Sequence, residues 1–275
     1  GFLGLLTGLG GRVADWQKSV FKTIALIVIG AHLSATFCAV LALAFHHGPI
    51  PLLLTLELIR LATGFFVHRS LHHSHTVRNW ASSRLTAEIA RSVHALREMH
   101  TYLDYLFNLP FPKELLPLLR TINVLHLASS KHSRIPWEKR RTHYLSERLD
   151  GPDAQIPYYR NGLRLAESRL KLASAIFTGA SLLAFSATTA KLLLHVMEVH
   201  HESLPTALGT LAILLPVIAV GALSLAASFD LEARVHTYHD TLEYLKTTRP
   251  LFDAARSERT FIHLVLETES RLLGE

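Results

Sequence analysis

The stretches "LAFHHGPIPLL" (residues 43–53) and "HVMEVHHESLP" (residues 195–205) decide how this chain is threaded. Each sets a histidine pair, His46/His47 or His200/His201, between two apolar runs. Neither connection, 46–49 or 197–203, contains a lysine or arginine. Upstream of the first turn, about Thr23 to Phe45, His32 is the only strongly polar side chain; downstream, about Ile50 to Val67, the run carries Glu57 and Arg60. The second turn is flanked by about Leu172 to Val196, with Lys191 near its end, and by about Leu204 to Phe229, which meets no charge before Asp230. A bilayer takes about 20 apolar residues to cross, so the reading is four spans arranged as two tight hairpins.

Composition agrees. The 275 residues are 49% hydrophobic and only 18% charged, where a soluble domain has about a quarter of its residues charged. Mean hydropathy is +0.25. The single cysteine, Cys38, excludes an internal disulfide and leaves the compartment open. The chain opens without Met on "GFLGLLTGLGGRVADW", which has no charged n-region or cleavage pattern. No signal peptide is read there, and an upstream part is expected.

Lysine and arginine placement sets the expected orientation. Arg12, Lys18 and Lys22 precede the first pair of spans, and Arg69, Arg78, Arg84, Arg91 and Arg97 follow it. Arg160, Arg164, Arg169 and Lys171 precede the second pair, and Arg234, Lys246 and Arg249 follow it. The positive-inside rule then predicts an integral membrane protein with both ends of the chain and its long central segment cytoplasmic. The net charge of +6 is accounted for by these lipid-facing flanks, and no nucleic-acid partner is needed.

The hairpins look like a duplication. Aligning Lys22–Cys38 with Lys171–Ala187 matches Lys22/Lys171, Ile27/Ile176, Gly30/Gly179, Ala31/Ala180, Leu33/Leu182 and Ala35/Ala184. The small residues Gly30, Ala31, Ser34 and Ala35, with Gly179, Ala180 and Ala184, would let helices approach closely. Beyond the membrane, "HTVRNWASSRLTAEIARSVHALREMHTYLDYLF" spaces Trp80, Leu85, Ile89, Val93 and Leu96 near the helical period. No Gly or Pro separates it from the second span, so one continuous helix is expected until Pro110, Pro112 and Pro117 end it. "LDGPDAQIP" reads as a turn cluster. The helix after the fourth span is expected to run to Pro250, and a last helix to start with Asp253 as its cap. No strand signal is present. The fold class is therefore all-α: a four-span protein of two tandem hairpins with long cytoplasmic helical extensions. The expected divisions are 1–107, a Pro-rich connector 108–156, and 157–275.

Two constellations could carry chemistry. Glu57 and Arg60 lie three apart, on one helical face, at a depth where ionisable groups are expensive and face a bundle interior or a water path. With His32 they read either as a pore lining or gate, or as a structural ion pair. "HRSLHHSH" supplies His68, His72, His73 and His75, with His236 and His239 after the fourth span. It resembles a histidine box of membrane di-iron desaturases and hydroxylases, and imidazole suits iron or zinc. Between His94 and His143, however, there is no H-x-x-H-H box. The di-iron oxygenase stays as the alternative, and a metal is not favoured. The outer pairs, with Glu198 and Glu202, read more economically as solvated residues than as a zinc or copper site. Nucleophile, phosphate-loop and zinc-cysteine signatures are absent, so neither a cofactor nor an enzyme is expected. A membrane scaffold that only anchors a sensor is the remaining reading.

"HTVRNWASSRLTAEIAR" resembles the helix after the first hairpin in bacterial proteins of the SLATT superfamily, through Trp80, Arg84, Ala87, Glu88 and Arg91. Ser83 stands where those proteins usually have an aromatic residue. "DGPDAQIPYYRNGLRLAESRL" is similar to the stretch leading into their membrane hairpin, through Asp150, Gly151, Gln155, Ile156, Tyr158, Arg160 and Asn161. "LVLETESRLLGE" looks like their closing helix. The resemblance implies a membrane effector of conflict systems that homo-oligomerises and permeabilises the inner membrane when an attached or partner domain senses a nucleotide signal. In the pore reading, the helix carrying Trp80, Arg84, Glu88 and Arg91 is expected to assemble the subunits together with the C-terminal helices.

Overall fold

The computed structural model describes residues 2–44, 50–73, 76–97, 99, 101, 103–109, 111, 115–129, 135–197 and 203–274. Ten α-helices follow one another among them: α1 (Phe2–Ala44), α2 (Ile50–His73), α3 (Thr76–Leu96), α4 (Tyr105–Asn108), α5 (Leu116–Ser129), α6 (Trp137–Tyr144), α7 (Gln155–Val196), α8 (Ser203–Ser228), α9 (Leu231–Ala254) and α10 (Glu258–Leu273). A π-helix, Leu145–Asp150, continues α6. No strand occurs among the described residues, so the chain is all-α. Both His-His turns of the opening stretches lie outside the described residues.

Among the described residues three helices are long and apolar enough to cross a membrane: the stretch Lys22–Ala42 of α1, a stretch ending at Val196 in α7, and Leu204–Ser228 of α8. The expected second span lies in α2, which is helical throughout but is not one of these three.

Several expectations about helix ends are corrected. α2 is described to His73 and α3 from Thr76; the expected continuity between them falls on 74–75, outside the described residues. α3 itself stops at Leu96, well before the prolines. Pro117 sits in the first turn of α5, and Pro51, Pro157 and Pro205 hold the same place in α2, α7 and α8. There the missing N–H would have no partner anyway. Pro250 does not end α9, which runs on to Ala254. The Arg141 guanidinium donates to the carbonyls of Phe252 (3.3 Å) and Ala255 (3.4 Å), holding the helix end beyond the proline. Asp253 pairs with Arg249 at 2.6 Å inside α9. The cap of α10 is Ser257, whose Oγ accepts from the Thr260 N–H at 3.2 Å.

Contacts divide the chain into two compact units. The first comprises 1–16, 78–165 and 234–275. Its core is built from large side chains: Ile89, Val93 and Leu96 of α3, Leu119 of α5, Phe252 of α9 and Phe261 of α10 are fully buried. Burying each such side chain stabilises by about 1.5–3 kcal/mol. Tyr144, Phe252 and Phe261 pack as tilted and edge-on rings with centroids 5.7–6.2 Å apart.

The second unit comprises 17–77 and 166–233, and its interior is different. Among the described residues its buried ones are small: Ala31, Ala35, Gly64, Ala166, Ala180, Ala184, Ala187, Ala219, Gly221 and Ala226, with Val40 and Leu231 the larger exceptions. Its large apolar side chains face outward; Leu58, Phe66 and Phe185 are 67%, 66% and 72% exposed. Small residues inside let backbones approach, the packing used where the surroundings are as apolar as leucine. Positions aligned across the hairpins share environments. Ala31/Ala180 and Ala35/Ala184 are buried, Ile27/Ile176 are exposed, and Gly30/Gly179 face open space. Leu33 breaks the match: it packs against Gly221, whereas Leu182 is 63% exposed.

Candidate functional site

In the second unit, α1 and α2 meet closely because Gly64 has no side chain. A Cβ there would lie 2.7 Å from Cε1 of His32. The imidazole is held within α1, with Nδ1 donating to the Val28 carbonyl at 2.7 Å. Arg60 crosses from α2 to α1, its Nη1 donating to Ser34 Oγ at 2.8 Å, and Ser34 donates in turn to the Ala31 carbonyl at 3.0 Å. The structure thus brings Arg60 to α1, the helix that also carries His32.

The Glu57–Arg60 pair that their spacing allows within α2 is not formed. Among the described ion pairs Glu57 makes none with Arg60. The arginine turns instead to the hydroxyl acceptor on α1. Glu57 is half-buried, while Arg60 is exposed among Leu58, Ile59 and Leu61, which are exposed as well. Lys191, near the end of α7, packs along Gly209 of α8.

In the first unit, the helix proposed for assembly carries a polar band. Trp80 lies in α3, its side chain outside the described set. Arg84 is half-buried beside Tyr158, Tyr159 and Tyr238, three rings in edge-on contact with centroids 5.3–6.3 Å apart. Burial opposes its charge, but the phenol oxygens of Tyr158 and Tyr238 and the Glu88 carboxylate outweigh that and raise its pKa above the ordinary guanidinium value. Glu88 is ion-paired to Arg91 one turn on and lies 3.9 Å from Nη1 of Arg148.

Arg148 leads to a cluster that the sequence reading missed. Glu269 of α10 is fully buried. Arg148 grips its carboxylate with two parallel bonds, Nε to Oε1 and Nη2 to Oε2, both 2.9 Å. The Tyr144 hydroxyl donates to Oε1 at 2.9 Å, Ser92 also bonds the carboxylate, and Ser92 is linked to the Tyr105 hydroxyl at 2.6 Å. Burial alone would raise the Glu269 carboxyl. Arg148 and the hydrogen bonds reverse this and hold it below its ordinary range. Burial and the neighbouring carboxylate push the Tyr144 phenol well up. The network joins α3, α6, the π-helix and α10. With no exposure and an ionised carboxylate, Glu269 fastens these elements rather than offering a proton.

A signal for it was present. Phe261, Val265 and Leu272 of α10 form the buried stripe, and Glu269 interrupts that stripe four residues after Val265. A carboxylate on an apolar helix face needs a buried partner.

For the metal alternative, His68, His72 and His73 lie in α2 with side chains outside the described set, and His75 lies outside the described residues. His236 and His239 are exposed on α9, and His239 Nδ1 is 3.6 Å from Asp240. Among the described residues no group of three or more His, Cys, Asp or Glu is placed to hold a metal. Comparison with family models, with curated proteins and with solved structures gave no match.

Proposed function

We propose that this chain is the pore-forming part of a homo-oligomeric membrane effector, of the SLATT kind, gated by a nucleotide-sensing or signalling domain. In this reading α2 crosses the membrane as the second of four spans. Its 24 residues reach about 36 Å, longer than the hydrocarbon core. The lysine- and arginine-free turns face outward, and both ends are in the cytoplasm of a bacterium. Glu57, Arg60 and His32 line or gate the path.

The observation that carries the proposal is the exposure of Arg60 on a helix made mostly of apolar residues, at the edge where α2 meets α1. An arginine turned to lipid at the bilayer centre costs at least about 2.5–3.5 kcal/mol, so such residues face water or other protein. Two hairpins enclose no channel by themselves. Water can line that face only when several copies surround it. The small-residue interior and outward-facing leucines and phenylalanines of the second unit support its lying in lipid.

The test is flux. The chain reconstituted in liposomes at rising protein-to-lipid ratio should release an encapsulated dye, and Glu57→Gln or Arg60→Gln should change the rate by about tenfold. Liposomes that stay sealed at every ratio would sink the pore.

A further inference from the structure

The charges on α2 have no partner in their own helix, although both are there. Glu57 and Arg60 point from one face of a helix whose neighbouring side chains are leucine, isoleucine and phenylalanine. The Arg60 guanidinium spends one donor on Ser34, out of five. In hydrocarbon the balance of that hydrogen-bonding and charge has to be met by protein or water.

We infer that Glu57 and Arg60 form reciprocal ion pairs between neighbouring copies of this chain, making α2 the seam of the assembly. The inference rests on the oligomeric reading above and names its contact. Its geometry follows from the membrane. Copies inserted in the same orientation hold α2 at the same depth, so Glu57 of one copy and Arg60 of the next are offset along the axis by about 4.5 Å, three helical rises. Both side chains are long enough to close that gap. The face carries both charges, so each copy can offer Glu57 to one neighbour and Arg60 to another, as a closed ring of identical copies allows. Ser34 contributes by holding the guanidinium at the α1–α2 edge, and Gly64 by letting α1 come close enough to do so.

Charge reversal tests it. E57R makes the face wholly basic and R60E makes it wholly acidic. Each variant alone in lipid nanodiscs should show an oligomer fraction reduced by about tenfold or more, the loss expected when one charge of a desolvated pair is removed. Co-expressed with different tags, the two variants should capture each other and recover the parent mass. A pair within one chain gives no such recovery on mixing. Should the reversals fail to insert, Glu57→Gln and Arg60→Gln supply the same reading, each lowering the oligomer fraction. The inference is overturned if single variants assemble like the parent, if mixing recovers nothing between two helical, inserted variants, or if the parent itself is monomeric. Dye release on the same samples separates the two proposals. Recovered assembly without leak removes the pore and keeps the seam; leak with parent-like assembly of each single variant removes the seam.

Discussion

Glu269 shows what a single buried carboxylate does. It is held by Arg148, Tyr144 and Ser92 at zero exposure, so removing one partner leaves a charge uncompensated in the core. Arg148→Met or Glu269→Gln should each destabilise the first unit by about 3–5 kcal/mol, read as a fall in melting temperature. The double variant Arg148→Met/Glu269→Leu should lose clearly less than the sum, because both charges leave together. The pH dependence has a definite sign. Glu269 is depressed below its ordinary 4.5, so its contribution is complete above about pH 4.5 and is lost as pH falls through the folded value. Tyr144 is raised above its ordinary 10.0, so its contribution is complete below about pH 10 and is lost as pH rises through the folded value. Melting temperature against pH should form a plateau between these limits, and Glu269→Gln should flatten its acid edge.

At the scale of elements, glycines and caps decide where helices end and how closely they approach. Gly151 closes the π-helix, and a Cβ there would lie 2.2 Å from the Ser146 carbonyl oxygen. Backbone cannot yield as a side chain can, so Gly151→Ala should cost about 1–3 kcal/mol by overpacking. Gly64→Ala meets instead the imidazole of His32, which can turn at the expense of its bond to Val28. That variant should lose stability, and His32→Ala should restore part of it; two independent losses that simply add would count against this contact. Ser257→Ala should cost about 1 kcal/mol, the usual value of a lost cap. The cap was misread as Asp253 from sequence because acidic, amide and hydroxyl side chains all qualify. The choice fell to Ser257 once Asp253 was engaged by Arg249 inside α9.

At the scale of the whole molecule, the threading proposal can be checked by labelling. With Cys38 replaced by serine, cysteines at His47 and His201 should react with a membrane-impermeant maleimide in intact cells. Cysteines at Arg97 and Glu243 should react only after permeabilisation. The opposite pattern would reverse the orientation argued from lysine and arginine placement.

Apolar length, helical period and the absence of strand signals determined from sequence alone that the chain is all-α and carries helices able to cross a membrane. These are properties of contiguous residues, and hydropathy adds along a single helix. The small-residue stripe was legible for the same reason: Ala31, Ala35, Ala180 and Ala184 recur at helical spacing, and they are buried. Pairings across the chain were not legible. Arg148 meets Glu269 from 121 positions away, and Arg60 prefers Ser34, 26 positions away, to the carboxylate three residues from it on its own helix. Sequence specifies that a buried carboxylate or an arginine in an apolar helix needs a partner. Which partner it finds depends on side chains from distant segments arriving together, and only the tertiary structure decides that.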